Sequence, residues 1–150
     1  MKKVLIGAVV LASLTAGVAQ AQVPADRSVK YRQSHLGVMG ASFTRISTHI
    51  KGERVLDAAS LQNNAIVVEQ MSRYAYDGFL QGTEQSTGAT KAKPEIWKEW
   101  DKFKKLQSDL QAATAKLTEA AKGGDAKALQ AAFGGAGQAC KACHDAYRAQ

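Results

Sequence analysis

Residues 140–144 read Cys140-Lys141-Ala142-Cys143-His144, and no other five positions narrow the folds open to this chain as far. The two cysteines are the only ones in 150 residues. On a helix, positions i and i+3 share one face about 5–6 Å apart. That spacing lets two thiols reach the two vinyl groups along one edge of a haem while the next residue offers an imidazole to the iron. A thioredoxin-like redox pair needs a strand before it in a βαβ unit, whereas the approach from Ala126 to Phe133 is helical in composition. A zinc site needs two more ligands at short spacing, and there is no further cysteine. A disulfide between i and i+3 closes too small a loop in the wrong geometry. The run therefore reads as covalent attachment of one haem c through two thioethers, at Cys140 and Cys143, with His144 as axial iron ligand.

The other end of the chain bears on compartment. Met1-Lys2-Lys3 precedes an apolar stretch from Val4 to Val18 and then Ala19-Gln20-Ala21, the three parts of a secretory leader with its A-x-A cleavage site. Residues 1–21 are expected to be a signal peptide and 22–150 the single mature domain. The apolar run falls short of the roughly 20 residues a membrane span needs and contains Ser13, Thr15 and Gly17. The expected product is a soluble periplasmic protein with no membrane attachment after cleavage. Without Lys2 and Lys3 the 20 basic residues fall to 18 against 13 acids, a formal charge of +5. A nucleic-acid binder clusters its basic residues on one face with aromatics between them. Here the richest stretch, Lys91 to Lys105, is laced with Glu95, Glu99 and Asp101 at i, i+3 and i, i+4 spacings, the pattern of a solvated helix face.

Apolar periodicity divides the mature chain into four helices. Leu36, Met39, Phe43, Ile46 and Ile50 recur at steps of three and four, the seam of an amphipathic helix. Leu61, Ala65, Val68, Ser72 and Ala75 mark a second helix from about Asp57 to Tyr76. A third is expected to open at Pro94, favoured at a first helical position, and to run unbroken to Gly123-Gly124. Asp125 begins the fourth, which carries the cysteines. The single β-branched run, Ile66-Val67-Val68, lies within a helical stripe, so no strand is expected. The architecture predicted is all-α: an antiparallel four-helix bundle with short links, one long loop from Gly78 to Lys93, and a covalently attached haem. Each glycine of Gly134-Gly135-Ala136-Gly137 costs a helix about 1 kcal/mol relative to alanine, which points either to an interruption of the helix or, the favoured reading, to close approach of a neighbouring helix or of the haem plane there.

The closing run Cys140-Lys141-Ala142-Cys143-His144-Asp145-Ala146-Tyr147-Arg148 resembles the C-terminal haem-binding sequence of the cytochromes c′, periplasmic four-helix-bundle haem proteins. Val29-Lys30-Tyr31-Arg32-Gln33-Ser34, Gly82-Thr83-Glu84 and Pro94-Glu95-Ile96-Trp97 resemble the same family, in order, across essentially the whole mature chain. The resemblance implies that His144 is the only protein ligand to iron and that Leu36 covers the opposite haem face. It places Met39, Tyr76 and Phe79 on the distal side, with Tyr76 standing where another aromatic is common. It assigns Arg32 and Gln33, with Glu84 as a weaker match, to the haem propionates, and Arg148 to the proximal side. It also implies homodimers through the first two helices, where Gly37, Gly40, Ala41 and Ala58 allow close packing.

Function then turns on the sixth iron position, for which the mature chain offers His35, His49, Met39 and Met71. His35 lies about 100° around the helix from Leu36 and His49 more than three turns further on. Met39, one turn from Leu36, would give a six-coordinate, low-spin electron carrier. A vacant site is the expected state. Ferrous haem binds NO and CO without hydrogen-bond help, whereas bound O₂ develops charge that needs a donor, and Leu36, Met39 and Phe79 offer none. The expected function is NO and CO binding with a capacity for electron transfer to an unidentified redox partner. A peroxidase would need an acid–base histidine over the iron, so enzymatic turnover is not expected.

Overall fold

The computed structural model describes residues 24–84, 86 and 89–150, so the expected signal peptide lies outside the described residues. The first helix, α1 (Ala25–Ile50), turns Val29, Arg32, Met39 and Ile46 inward, with Leu36, Phe43 and Ile50 packed along the same stripe. These three- and four-residue steps keep one face on the core. Gly52, at φ +73, takes the left-handed conformation that side chains disfavour and turns the chain. Asp57 then opens α2 (Ala58–Tyr74) by accepting the Ser60 backbone N–H at 2.6 Å, the standard way an N-cap carboxylate satisfies an orphan donor.

The second helix does not continue as an α-helix to Tyr76. It tightens into a 3₁₀ turn, Ala75–Gly78, whose last residue lies directly on α1. A Cβ on Gly78 would stand 2.8 Å from Arg32 Cβ and 2.9 Å from the Ser28 carbonyl oxygen, so the turn seats there only because that side chain is absent. The segment after the long loop also departs from expectation. A short α3 (Glu95–Lys98) ends at Glu99, which leaves helical geometry at φ −109, ψ 41, before α4 (Trp100–Gly123) begins. The loop holds α3 in place through the Trp97 indole N–H, which donates to Leu80 O at 2.9 Å. Gly124, at φ +71, stops α4, and Asp125 caps α5 (Ala126–Tyr147) by accepting from Ala128 N at 2.7 Å.

The helix α5 runs without interruption through the glycine run, and a neighbouring helix comes close at only one of its three glycines, Gly137, which also lines the cavity of the bundle. Nothing lies within 4 Å of where a Cβ would stand on Gly134 or Gly135, and Gly137 meets only the tip of Phe43 at 3.8 Å. The packing contact of that turn comes from Ala136, which is fully buried.

In the resulting four-helix bundle α1 packs on α2, α2 on α4 and α4 on α5, whereas α1 and α5 barely touch. Phe43 of α1 and Phe133 of α5 stack with centroids 4.1 Å apart and close the seam below. Above them it stays open. One part of the core is aliphatic, built on Ile46, Ala65, Val68 and Leu117. The other is aromatic and gathers Phe79, Ile96, Phe103 and Tyr147. Buried hydroxyls are paired, Ser72 with Thr114 at 3.1 Å and Thr118 with Ala65 O at 3.2 Å, as burial of polar atoms requires. Among the described residues no helix is long and apolar enough to cross a membrane.

Candidate haem site

The open seam is a cavity of about 960 Å³. From α5 it is lined by Cys140, Cys143, His144, Tyr147 and Arg148, and from α1 by Arg32, Gln33, Leu36, Met39 and Phe43. Tyr76 and Phe79 enter from the end of α2, and Thr90, Lys91 and Ala92 from the long loop. Of the residues that the resemblance assigns to the haem, only Glu84 is not brought there: it is exposed in the loop and absent from the cavity wall. Phe43, Thr90 and Ile96 line the cavity without having been foreseen. Phe43 carried a signal, as it lies on the Leu36–Met39 stripe, whereas Thr90 had none.

The cysteines are partly buried and unpaired, and burial raises both thiol pKa values above the ordinary cysteine value. Tyr76 lines the same cavity, and burial pushes its hydroxyl pKa upward. His144 is shifted down, first by burial and then by the charge of Arg148, which keeps the imidazole neutral and its lone pair available to a metal. Just beyond it, Arg148 N bonds back to His144 O at 3.0 Å. The loop is laced to this end of α5 by Lys93 N to Tyr147 O at 2.9 Å and Ala149 N to Lys91 O at 2.8 Å.

Arg32 is the most informative side chain. It is 2% exposed, and burial lowers its pKa. Its guanidinium donates to Gly78 O at 3.1 Å and Thr90 Oγ1 at 3.3 Å and lies over the rings of Phe79 and Trp97 at 4.7 and 5.6 Å. No carboxylate pairs with it among the described residues. A buried cation without a counter-ion is costly, so an anion supplied by a ligand fits this end of the cavity. Gln33 stands beside it with Nε2 donating to Ala89 O at 2.8 Å.

The structure also reduces the candidates for a second iron ligand. His35 Nδ1 donates to Tyr31 O at 2.8 Å, and His49 Nδ1 accepts from Leu56 N at 3.1 Å. Neither lines the cavity, and Met71 packs against the aliphatic core. Met39 alone remains. Two thiols and one neutral imidazole on a single helix face, an apolar wall opposite and a buried cation at one end fit a covalently held haem with its propionates at Arg32.

Comparisons with known proteins agree. The family model for cytochrome C′ matches residues 27–148. Cytochrome c′ of Alcaligenes xylosoxydans xylosoxydans is 43% identical over 123 residues, covering 82% of this chain and 94% of that protein. The nitric oxide complex of a leucine-to-alanine mutant of cytochrome c prime from Alcaligenes xylosoxidans superposes with a TM-score of 0.79 at 40% identity, over 86% of this chain and 98% of the other. A carbon monoxide-bound leucine-to-glycine variant of that protein gives a TM-score of 0.78 at 40% identity, over 85% and 98%. By sequence over residues 27–148, by bundle and by cavity, this chain belongs to the cytochrome c′ family.

Proposed function

We propose that the mature protein, residues 22–150, is a periplasmic cytochrome that holds one haem c through Cys140 and Cys143. His144 is its sole axial ligand, and NO and CO bind at the open iron position beneath Leu36. The observation that carries this reading is the makeup of the cavity walls: His144 is the only histidine lining them, and the α1 wall facing it presents Leu36, Met39 and Phe43. The haem, once attached, supplies the iron at which a diatomic binds and the electron that is stored or passed on.

The chain's own residues do the rest. Cys140 and Cys143 fix the haem edge to α5, and Arg32 with Gln33 holds the propionates. Arg148 places a positive charge beside His144, which disfavours charging the imidazole and suits chemistry on the proximal side. Leu36, Met39 and Phe79 withhold any donor from bound O₂, so NO and CO are favoured. Electrons pass to a redox partner, and no substrate is turned over. Tyr31, Val38, Ile66 and Tyr74 lie exposed on α1 and α2 at 38%, 49%, 37% and 46%. With exposed Ala41 and Ala58, they support a homodimer through these helices, testable by sedimentation.

Met39 lines the same cavity and supports a second reading, a six-coordinate electron carrier. Absorption and resonance Raman spectra of the ferric and ferrous holoprotein, with and without NO, CO and O₂, separate the two. High-spin five-coordinate markers with NO and CO adducts and no stable O₂ complex support the first. A low-spin ferrous spectrum without added ligand selects the second.

A further inference from the structure

We infer that Tyr147 is a redox-active residue, giving an electron to the haem and its phenolic proton to Glu99 when the cavity meets a peroxide. This rests on attachment of haem at Cys140 and Cys143 and goes beyond gas binding. Tyr147 follows Cys140 and Cys143 at steps of three and four, so all three lie on one face of α5, and its side chain lines the cavity. It is 3% exposed and packs edge-on against Phe103 at 5.5 Å. Its hydroxyl reaches a partly exposed carboxylate. It donates at 2.8 Å to Oε2 of Glu99, the residue at which α3 and α4 part.

A phenol surrenders an electron readily only if its proton leaves at the same time, because the oxidised phenol is a strong acid. A base within hydrogen-bond reach, about 2.6–3.2 Å, is therefore the deciding feature. Glu99 is such a base. Lys102 and then Tyr147 itself hold its carboxyl below the ordinary range, so it is ionised, and Lys102 Nζ at 3.0 Å steadies it. The other tyrosines lack this arrangement. Among the described residues no carboxylate bonds the Tyr76 hydroxyl, and Tyr31 and Tyr74 do not line the cavity.

The step balances with hydrogen peroxide as oxidant. Peroxide takes up two electrons and two solvent protons and becomes two waters. Ferrous iron gives one electron and becomes ferric. Tyr147 gives the other: its O–H bond breaks, the proton passes to Glu99 Oε2, and a neutral tyrosyl radical remains. The oxidising equivalent then rests on the cavity wall and is diverted from His144.

The test is freeze-quench EPR of the ferrous holoprotein after one equivalent of hydrogen peroxide, with natural and ring-deuterated tyrosine. The result expected is a tyrosyl signal that narrows on deuteration, persists in Tyr76→Phe, is lost in Tyr147→Phe and weakens in Glu99→Gln. Tyr147→Phe keeps the ring and hence the packing, and the haem absorption spectrum of each variant verifies an intact site. A signal unchanged in Tyr147→Phe, or no tyrosyl signal in the parent, overturns the inference. Absence of covalent haem from the parent by mass would instead overturn the reading on which it rests.

Discussion

Replacing Gly78 by alanine adds one methyl group where the 3₁₀ turn meets α1. On the observed backbone that carbon stands 2.8 Å from Arg32 Cβ, 2.9 Å from Ser28 O and 3.0 Å from Arg32 N. None of these is the free end of a flexible side chain, so relief requires the turn and α1 to move apart. Overpacking of this kind costs about 1–3 kcal/mol. The same movement stretches the 3.1 Å bond from Arg32 Nη1 to Gly78 O, and a hydrogen bond to a charged group contributes about 1.5–3 kcal/mol. Alanine recovers roughly 0.4–1 kcal/mol by restricting the unfolded chain. The net loss is about 2–4 kcal/mol, and for a domain of this size the melting temperature falls by about 10 °C. Thermal unfolding of parent and Gly78→Ala holoproteins, followed by far-ultraviolet circular dichroism, measures it directly. An alanine variant as stable as the parent would refute the argument that the seat of this turn on Arg32 depends on the missing side chain.

Three further outcomes are expected. Leu36→Ala opens the wall facing His144 and raises the CO association rate about tenfold or more, which corresponds to about 1.4 kcal/mol of barrier; stopped-flow mixing with the ferrous protein gives the rate, and an unchanged value would remove Leu36 as the lid. Met39→Leu leaves the ferrous resonance Raman spin-state markers as they are in the parent, and a change from low to high spin would identify Met39 as an iron ligand. Asp57 is held below the usual carboxylate range, first by the Ser60 backbone N–H, so its contribution is complete above the unfolded value of about 3.9 and is lost as pH falls through the lower folded value. Asp57→Asn retains a capping acceptor without that titration, so urea midpoints measured from neutral to acid pH should fall less steeply than in the parent, and parallel curves would contradict the assignment.

Several features were legible in the sequence because they are local. The helices followed from spacings of three and four, and their ends from Asp57, Gly124 and Asp125, each acting on residues within one turn. Where prediction failed, a distant contact decided. The break at Glu99 belongs to α3 being held by Leu80 through Trp97, which local propensity does not encode. In the glycine run no neighbouring helix meets Gly134 or Gly135, whereas Ala136 packs and Gly137 lies against Phe43 in the cavity wall. Glu84 resembled a residue near the propionates, yet the loop carries it away from the cavity that Thr90, from the same loop, helps to line.

By itself the sequence determined that Cys140, Cys143 and His144 are neighbours on one helix, and helical geometry sets their relation whatever the remainder of the chain does. Only the tertiary structure decided what faces them. Arg32, which only the family resemblance marked for the propionates, becomes a buried cation without a carboxylate partner among the described residues when Gly78, 46 positions away, closes over it. Tyr147 meets Glu99 across 48 positions, and the cavity exists because α1 and α5 each pack on another helix and scarcely on each other. Spacing along a chain fixes which side chains share a face of one element. Which faces meet, and which polar groups lose water there, depends on the packing of all the elements together.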